Sequence, residues 1–188
     1  MKSKTIALSA ISSAFIAIIL TLGAYIEIID LMSVIVSALF STLPLYYKSK
    51  KGAILSVLVG GVLAFILSGA NIFTLVFPAY FLFFGIYPVI NEVVSESKMD
   101  KNLWKVLSLI WCVAVCYFLL FYYAVIMQVP IYDFELFGKT FNLSNLKNIR
   151  LYFLTAWGGV SVLLYFVYNK FISVMFLASK NLLKRILK

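Results

Sequence analysis

The sequence predicts an all-α polytopic membrane protein: a bundle of six transmembrane helices with both termini in the cytoplasm. Three observations carry this. Of the 188 residues 64% are apolar and only 12% are charged, against about 45–50% and about 25% in a soluble domain. With a mean hydropathy of +1.05, too little polar surface remains for a water-soluble enzyme, a disordered chain, a coiled coil or a nucleic-acid-binding domain. The apolar residues also gather in runs of about 17–25, the length that crosses a bilayer as a helix. Finally, Lys and Arg cluster between alternate runs, as they do in cytoplasmic loops.

The chain reads as one membrane domain, 1–188, without internal repeats. The first span, 5–26, follows Lys2 and Lys4. It is longer than the 7–15 residues of a signal-peptide core and no small-residue cleavage site follows, so it reads as a retained helix. The second span, 31–47, has Pro44 near its end and is closed by Lys48-Ser49-Lys50-Lys51. The third, 52–68, stops at Gly69, and the fourth, 72–90, runs into a polar stretch, 91–102. The fifth is 103–127. The sixth, 151–177, leads into a basic tail through Lys188 that is either transmembrane or laid along the membrane surface.

Charge tests the count. Six spans put Lys2, Lys4, Lys48, Lys50, Lys51, Lys98, Lys101, Lys105, Lys170, Lys180, Lys184, Arg185 and Lys188 on one side, and Lys139, Lys147 and Arg150 on the other. A missed or false helix would scramble this split of thirteen to three, so the net charge of +9 reads as topology, not as a nucleic-acid surface. Cys112 and Cys116, one helical turn apart in an apolar run, are too few to staple a secreted fold or to hold zinc.

The spans differ in chemistry. The first carries Ser9, Ser13, Ala17 and Thr21 at four-residue spacing with Ala10 and Ala14 beside them; the second Ser33, Ser37 and Ser41; the third Ser56, Gly60, Ala64 and Ser68. Such stripes let helix backbones approach closely in lipid, either within the bundle or against a partner. Spans four to six hold most of the aromatic residues, among them Tyr80, Tyr87, Trp111, Tyr165 and Trp157. Aromatic walls are interfacial belts, packing, or the lining of a small-molecule pocket. The longest outer segment, 128–150, reads as a lid over such a pocket or as an aromatic-anchored interfacial loop.

Absences narrow the chemistry. With no histidine, His-based relays, HExxH proteases and Ser-His triads are excluded. No carboxylate pair lies within a span. Gly138-Lys139-Thr140 mimics the end of a phosphate loop, but Asp133 stands where the first glycine belongs. No enzymatic activity, cofactor or metal is expected.

Six spans, cytoplasmic termini, the first-helix segment Ala7-Leu8-Ser9-Ala10-Ile11-Ser12-Ser13-Ala14-Phe15-Ile16-Ala17, and Lys51-Gly52-Ala53 leading to Gly60-Gly61 resemble the substrate-binding S components of energy-coupling factor (ECF) vitamin transporters. Part of the AxxxA ladder is serine here. The resemblance implies a multi-pass protein of the bacterial plasma membrane that captures a vitamin-like small molecule or a metal ion. It implies that Ala10, Ala14 and Ala17 face a coupling transmembrane subunit driven by two ATPase subunits, and that the ligand binds near the outer surface. There Trp157, about 9 Å deep in the sixth span, would stack on a flat ring. Tyr123, Gln128 and Tyr152 would flank it, and Asn142 and Asn145 would supply directed hydrogen bonds; the alternative for Trp157 is a helix–helix filler. The other resemblance is to scaffold proteins of the cell-shape machinery, the MreD-like type, in which the small-residue stripes bind partners and no pocket exists.

The charge split gives a direct test. Cysteines replacing Lys50 and Lys139 are expected to react with a membrane-impermeant reagent from opposite sides of intact cells; reaction from the same side would break the six-span topology.

Overall fold

The computed structural model describes the backbone of residues 3–97, 99–128, 133–136, 139–142 and 149–186, and the side chains of these outside Glu27, the 133–142 hairpin, Ile149 and 179–186. α1 (Ser3–Tyr25) passes through a 3₁₀ turn, Glu27–Ile29, into α2 (Asp30–Ser41), which a second 3₁₀ turn, Leu43–Tyr47, prolongs. α3 (Lys50–Leu67) follows. The fourth span is composite: α4 (Val76–Ala79), a π-turn (Tyr80–Phe84) and α5 (Tyr87–Ser95). After α6 (Lys101–Val125) comes an antiparallel hairpin of β1 (Asp133–Leu136) and β2 (Lys139–Asn142), then α7 (Ile149–Ile186).

Six helical segments are long and apolar enough to cross a membrane: Ser3–Tyr25, Asp30–Tyr47, Lys50–Leu67, Val76–Ser95, Lys101–Val125 and Arg150–Ala178. The chain is a multi-pass membrane protein of predominantly helical fold, with the hairpin as its described exception. The fourth span lies about a turn later than the sequence suggested. Gly69 and Ala70 take positive φ and close the third span, and the helix then begins at Val76. At its far end it runs through Asn91 and Glu92 to Ser95, because Pro88 sits in the first turn of α5, where its missing N–H costs nothing to that helix. The sixth helix continues unbroken to Ile186. At 1.5 Å per residue its 38 residues measure about 57 Å, well beyond a hydrocarbon core of about 30 Å.

Contacts at the helix ends fix the up-and-down order. At one end, the Tyr25 hydroxyl donates to the Leu67 carbonyl at 3.3 Å, and the Tyr122 hydroxyl donates to the Ile72 carbonyl. At the other, Trp104 Nε1 donates to Asn91 Oδ1 at 2.9 Å, and the Lys50 ammonium lies 2.9 Å from the Glu96 carboxylate. The hydrogen bond and charge of Lys50, with Lys48 adding to them, hold the Glu96 carboxyl below the usual carboxylate range. The second set of contacts marks the basic end of the bundle.

The first three helices pack through their small residues. Ser9, Ser13, Ile16 and Ala17 of α1 are buried, as are Ser33, Ser37 and Ser41 of α2, and Ser56, Gly60 and Ala64 of α3. A hydroxyl in hydrocarbon needs an acceptor, and the helix supplies one: Ser9, Ser13 and Ser37 each donate to the carbonyl four residues back. Ser56 also reaches across to the Ser9 carbonyl, at 3.1 Å. So close an approach requires Gly60. A Cβ there would stand 2.7 Å from Ile16 Cβ and 2.9 Å from the Ser13 backbone oxygen. The stripes of the second and third spans are therefore internal packing.

Two glycine substitutions separate packing from propensity. Gly60→Val forces α1 and α3 apart and is expected to cost about 1–3 kcal/mol. Gly159→Ala, at a position with no atom within 4 Å of an added Cβ, is expected to be neutral or to stabilise by up to about 1 kcal/mol. Thermal unfolding in detergent measures both, and a tolerated Gly60→Val would refute the close approach.

Candidate functional site

The second half of the chain is built on aromatic packing. Phe83, Phe84, Tyr87, Tyr165 and Tyr168 are almost fully buried. Phe83 stacks on Tyr87 with ring centroids 4.8 Å apart and meets Trp111 edge-on at 5.2 Å; Phe84 meets Tyr168 edge-on at 5.0 Å. Three of the tyrosine hydroxyls bond within the bundle. Tyr87 donates to Asn169 Oδ1 at 3.0 Å, Tyr165 and Ser108 share a bond of 2.7 Å, and Tyr168 donates to the Phe84 carbonyl at 2.5 Å. That carbonyl would ordinarily bond the N–H four residues on, which is Pro88 and has none. Among the described residues the centre between α5, α6 and α7 is thus filled by these rings. Cys112 and Cys116 lie buried and unbridged beside it.

Trp157 ties two helices together. Its Nε1 donates to the Cys116 carbonyl at 3.1 Å, and its ring stacks on Phe153 at 6.3 Å. The space that Gly158 leaves is taken from the α6 side: a Cβ there would stand 2.8 Å from the Tyr117 oxygen, and that hydroxyl donates to the Leu154 carbonyl at 2.7 Å. Only Gly159 leaves open space. The indole meets α6 at Cys116, about two turns below Tyr123. Tyr123 is half-buried, Gln128 is exposed at a positive φ just beyond α6, and Tyr152 is exposed. Asn142 pairs in register with Asp133 at the end of the hairpin. The Asn142 side chain and the whole of Asn145 lie outside the described residues.

The alanines of α1 divide. Ala17 is buried with the serines, whereas Ala10 and Ala14 are exposed, with Ala7, along the flank of that face. Exposed Ile6, Ile11 and Ile18 lie near them on the helix surface, and Phe15 stacks on Phe40 of α2 at 4.9 Å.

A feature the sequence reading missed lies at the basic end. Between α2, α5 and α7 is a half-open cleft of about 240 Å³ whose polar wall is Thr42, Asn91, Glu92 and Ser173. An acid within a membrane helix is the signal that would have found it. A span that ends at residue 90, where the polar stretch begins in the sequence, places Glu92 outside the membrane helix. Comparison with protein-family models, with curated proteins and with solved structures returns no match to this chain.

Trp157→Ala removes the α6–α7 tie. It is expected to lower the stability of the ligand-free protein by about 2–4 kcal/mol, chiefly from lost packing, and thermal unfolding reads this out. Unchanged stability with a loss of ligand affinity would instead make the indole a binding surface.

Proposed function

We propose that the protein is the substrate-capture subunit of an ECF-type importer, taking up a vitamin-like small molecule with ATP hydrolysis left to separate subunits. The observation that carries this reading is the exposed alanine face of α1. Ala7, Ala10 and Ala14 are exposed among the described residues, and the bundle closes on the serine face instead. In lipid, small residues at an exposed helix surface allow a second helix to approach within van der Waals range of the backbone. A coupling membrane subunit is the partner this reading assigns to that face. The charge split gives the orientation, with the basic end in the cytoplasm, and the hairpin segment then lies at the outer face, where a substrate would enter.

A second reading, a non-catalytic scaffold of the MreD-like type, draws on a different observation. The aromatic centre between α5, α6 and α7 is filled, with its hydroxyls paired internally. A protein that works by holding partners needs no cavity there.

Ala14→Trp distinguishes a partner face from a lipid-facing one. The indole would hold an approaching helix away, so the variant is expected to express and fold normally but to lose co-purifying membrane partners and uptake. Full complex recovery would leave the alanine face without a partner. Identifying what co-purifies with the wild type, ATPase subunits or cell-shape proteins, decides between the two readings.

A further inference from the structure

We propose that the cleft at the basic end binds the primary ammonium headgroup of an aminophospholipid from the adjoining leaflet. This is independent of whether the protein transports or scaffolds. Three elements line the cleft: Thr42 and Leu45 follow α2, Pro88 and Glu92 come from α5, and Ser173 and Phe176 from α7.

Hydrogen-bond accounting sets the ligand's charge. The Thr42 hydroxyl already donates to the Leu39 carbonyl at 2.7 Å, and the Ser173 hydroxyl to the Asn169 carbonyl at 2.8 Å. With their single protons committed, both oxygens offer only lone pairs to the cleft. Asn91 has its carbonyl oxygen engaged by Trp104. The Glu92 carboxylate has no ion-pair or side-chain hydrogen-bond partner among the described residues, whereas Glu96, one turn further on, is paired with Lys50. Three of the four polar groups, the Thr42 and Ser173 oxygens and the Glu92 carboxylate, therefore face the cleft as acceptors, Asn91 keeps its amide N–H groups to donate, and the carboxylate is unpaired among the described residues. An anion would be repelled, and an apolar group would leave the carboxylate unpaired in a poorly solvated place. A group with several N–H donors and a positive charge matches it. A trimethylammonium does not, because it has no N–H.

Shape points to a lipid. The remaining walls are apolar, including Leu45, Ile172 and Phe176, and the cleft runs out to Leu177, which is 61% exposed on the flank of the sixth span. A volume of about 240 Å³ takes a headgroup but not two acyl chains, which would lie along the exposed Val174 and Leu177 surface. The charge split assigns this end to the cytoplasmic leaflet.

The test uses the full chain, purified and delipidated, with retained lipid counted by native mass spectrometry. The lipids are phosphatidylethanolamine, phosphatidylcholine and phosphatidylglycerol with identical acyl chains. The wild type is expected to retain phosphatidylethanolamine roughly tenfold better than the other two, the scale of one charge-assisted hydrogen-bond set. Glu92→Gln, isosteric but uncharged, is expected to abolish that preference, and Ser173→Leu, which fills the cleft and leaves the charge, to do the same. Thermal midpoints in phosphatidylcholine check that both variants fold; if one does not, the other decides. Equal retention of the three lipids by the wild type, or a preference that survives the folded variants, overturns the proposal. So does binding of hexylamine, abolished by Glu92→Gln, without any phosphatidylethanolamine preference, since the site would then serve a soluble amine.

Discussion

A backbone carbonyl in hydrocarbon has no water to turn to, and Pro88 leaves one without its usual donor. The Phe84 carbonyl lies in the middle of the fourth span, just where the π-turn ends, and Tyr168 of α7 closes it with a bond of 2.5 Å. That single requirement holds α7 against the fourth span. It also brings the neighbouring rings into register: Phe84 against Tyr168, Phe83 between Tyr87 and Trp111. The π-turn contributes on its own account. Its bond from the Gly85 N–H back to the Tyr80 carbonyl, at 2.8 Å, spans five residues, and the Tyr80 ring folds against the face that Gly85 leaves bare. Tyr80 is fully buried, and its hydroxyl is one of two buried side-chain groups without a partner among the described residues, with Ser12.

The two halves of the bundle solve the same problem by opposite means. Water is not expelled when helices meet in lipid, so association rests on close packing and on polar bonds that have no alternative. α1, α2 and α3 take the first route, trading side-chain volume for backbone contact at Gly60 and Ser56. α5, α6 and α7 take the second, with broad rings and paired hydroxyls filling a wider gap. The glycine-and-serine half leaves a small-residue face exposed on α1, and the aromatic half shares in the cleft at the basic end, beside Glu92.

Much of this was legible in the residues. Six apolar runs separated by basic turns fixed the number of helices, because the length of a span is set by the bilayer and not by neighbouring helices. The serine and glycine stripes were visible as four-residue spacings. Which face of α1 turned inward was not, since Ser9 and Ala10 are adjacent in sequence and both are small; the bundle chose the serine side. The outer-surface site was read from Trp157 and the two glycines after it. The space beside Gly158 was already claimed by Tyr117, a residue 41 positions earlier that no local pattern connects to it.

The sequence by itself determined the solvent this protein lives in, the count of its spans and the sign of charge at each end, because hydropathy and charge are sums over local segments. Tertiary structure alone decided where the fourth helix begins and ends, that Pro88 is answered by Tyr168, that the aromatic centre is filled, and that Glu92 looks into a cleft shared by three helices. Each of those depends on a donor or a volume supplied from a distant part of the chain. A sequence lists donors and volumes, but only the packed bundle pairs them.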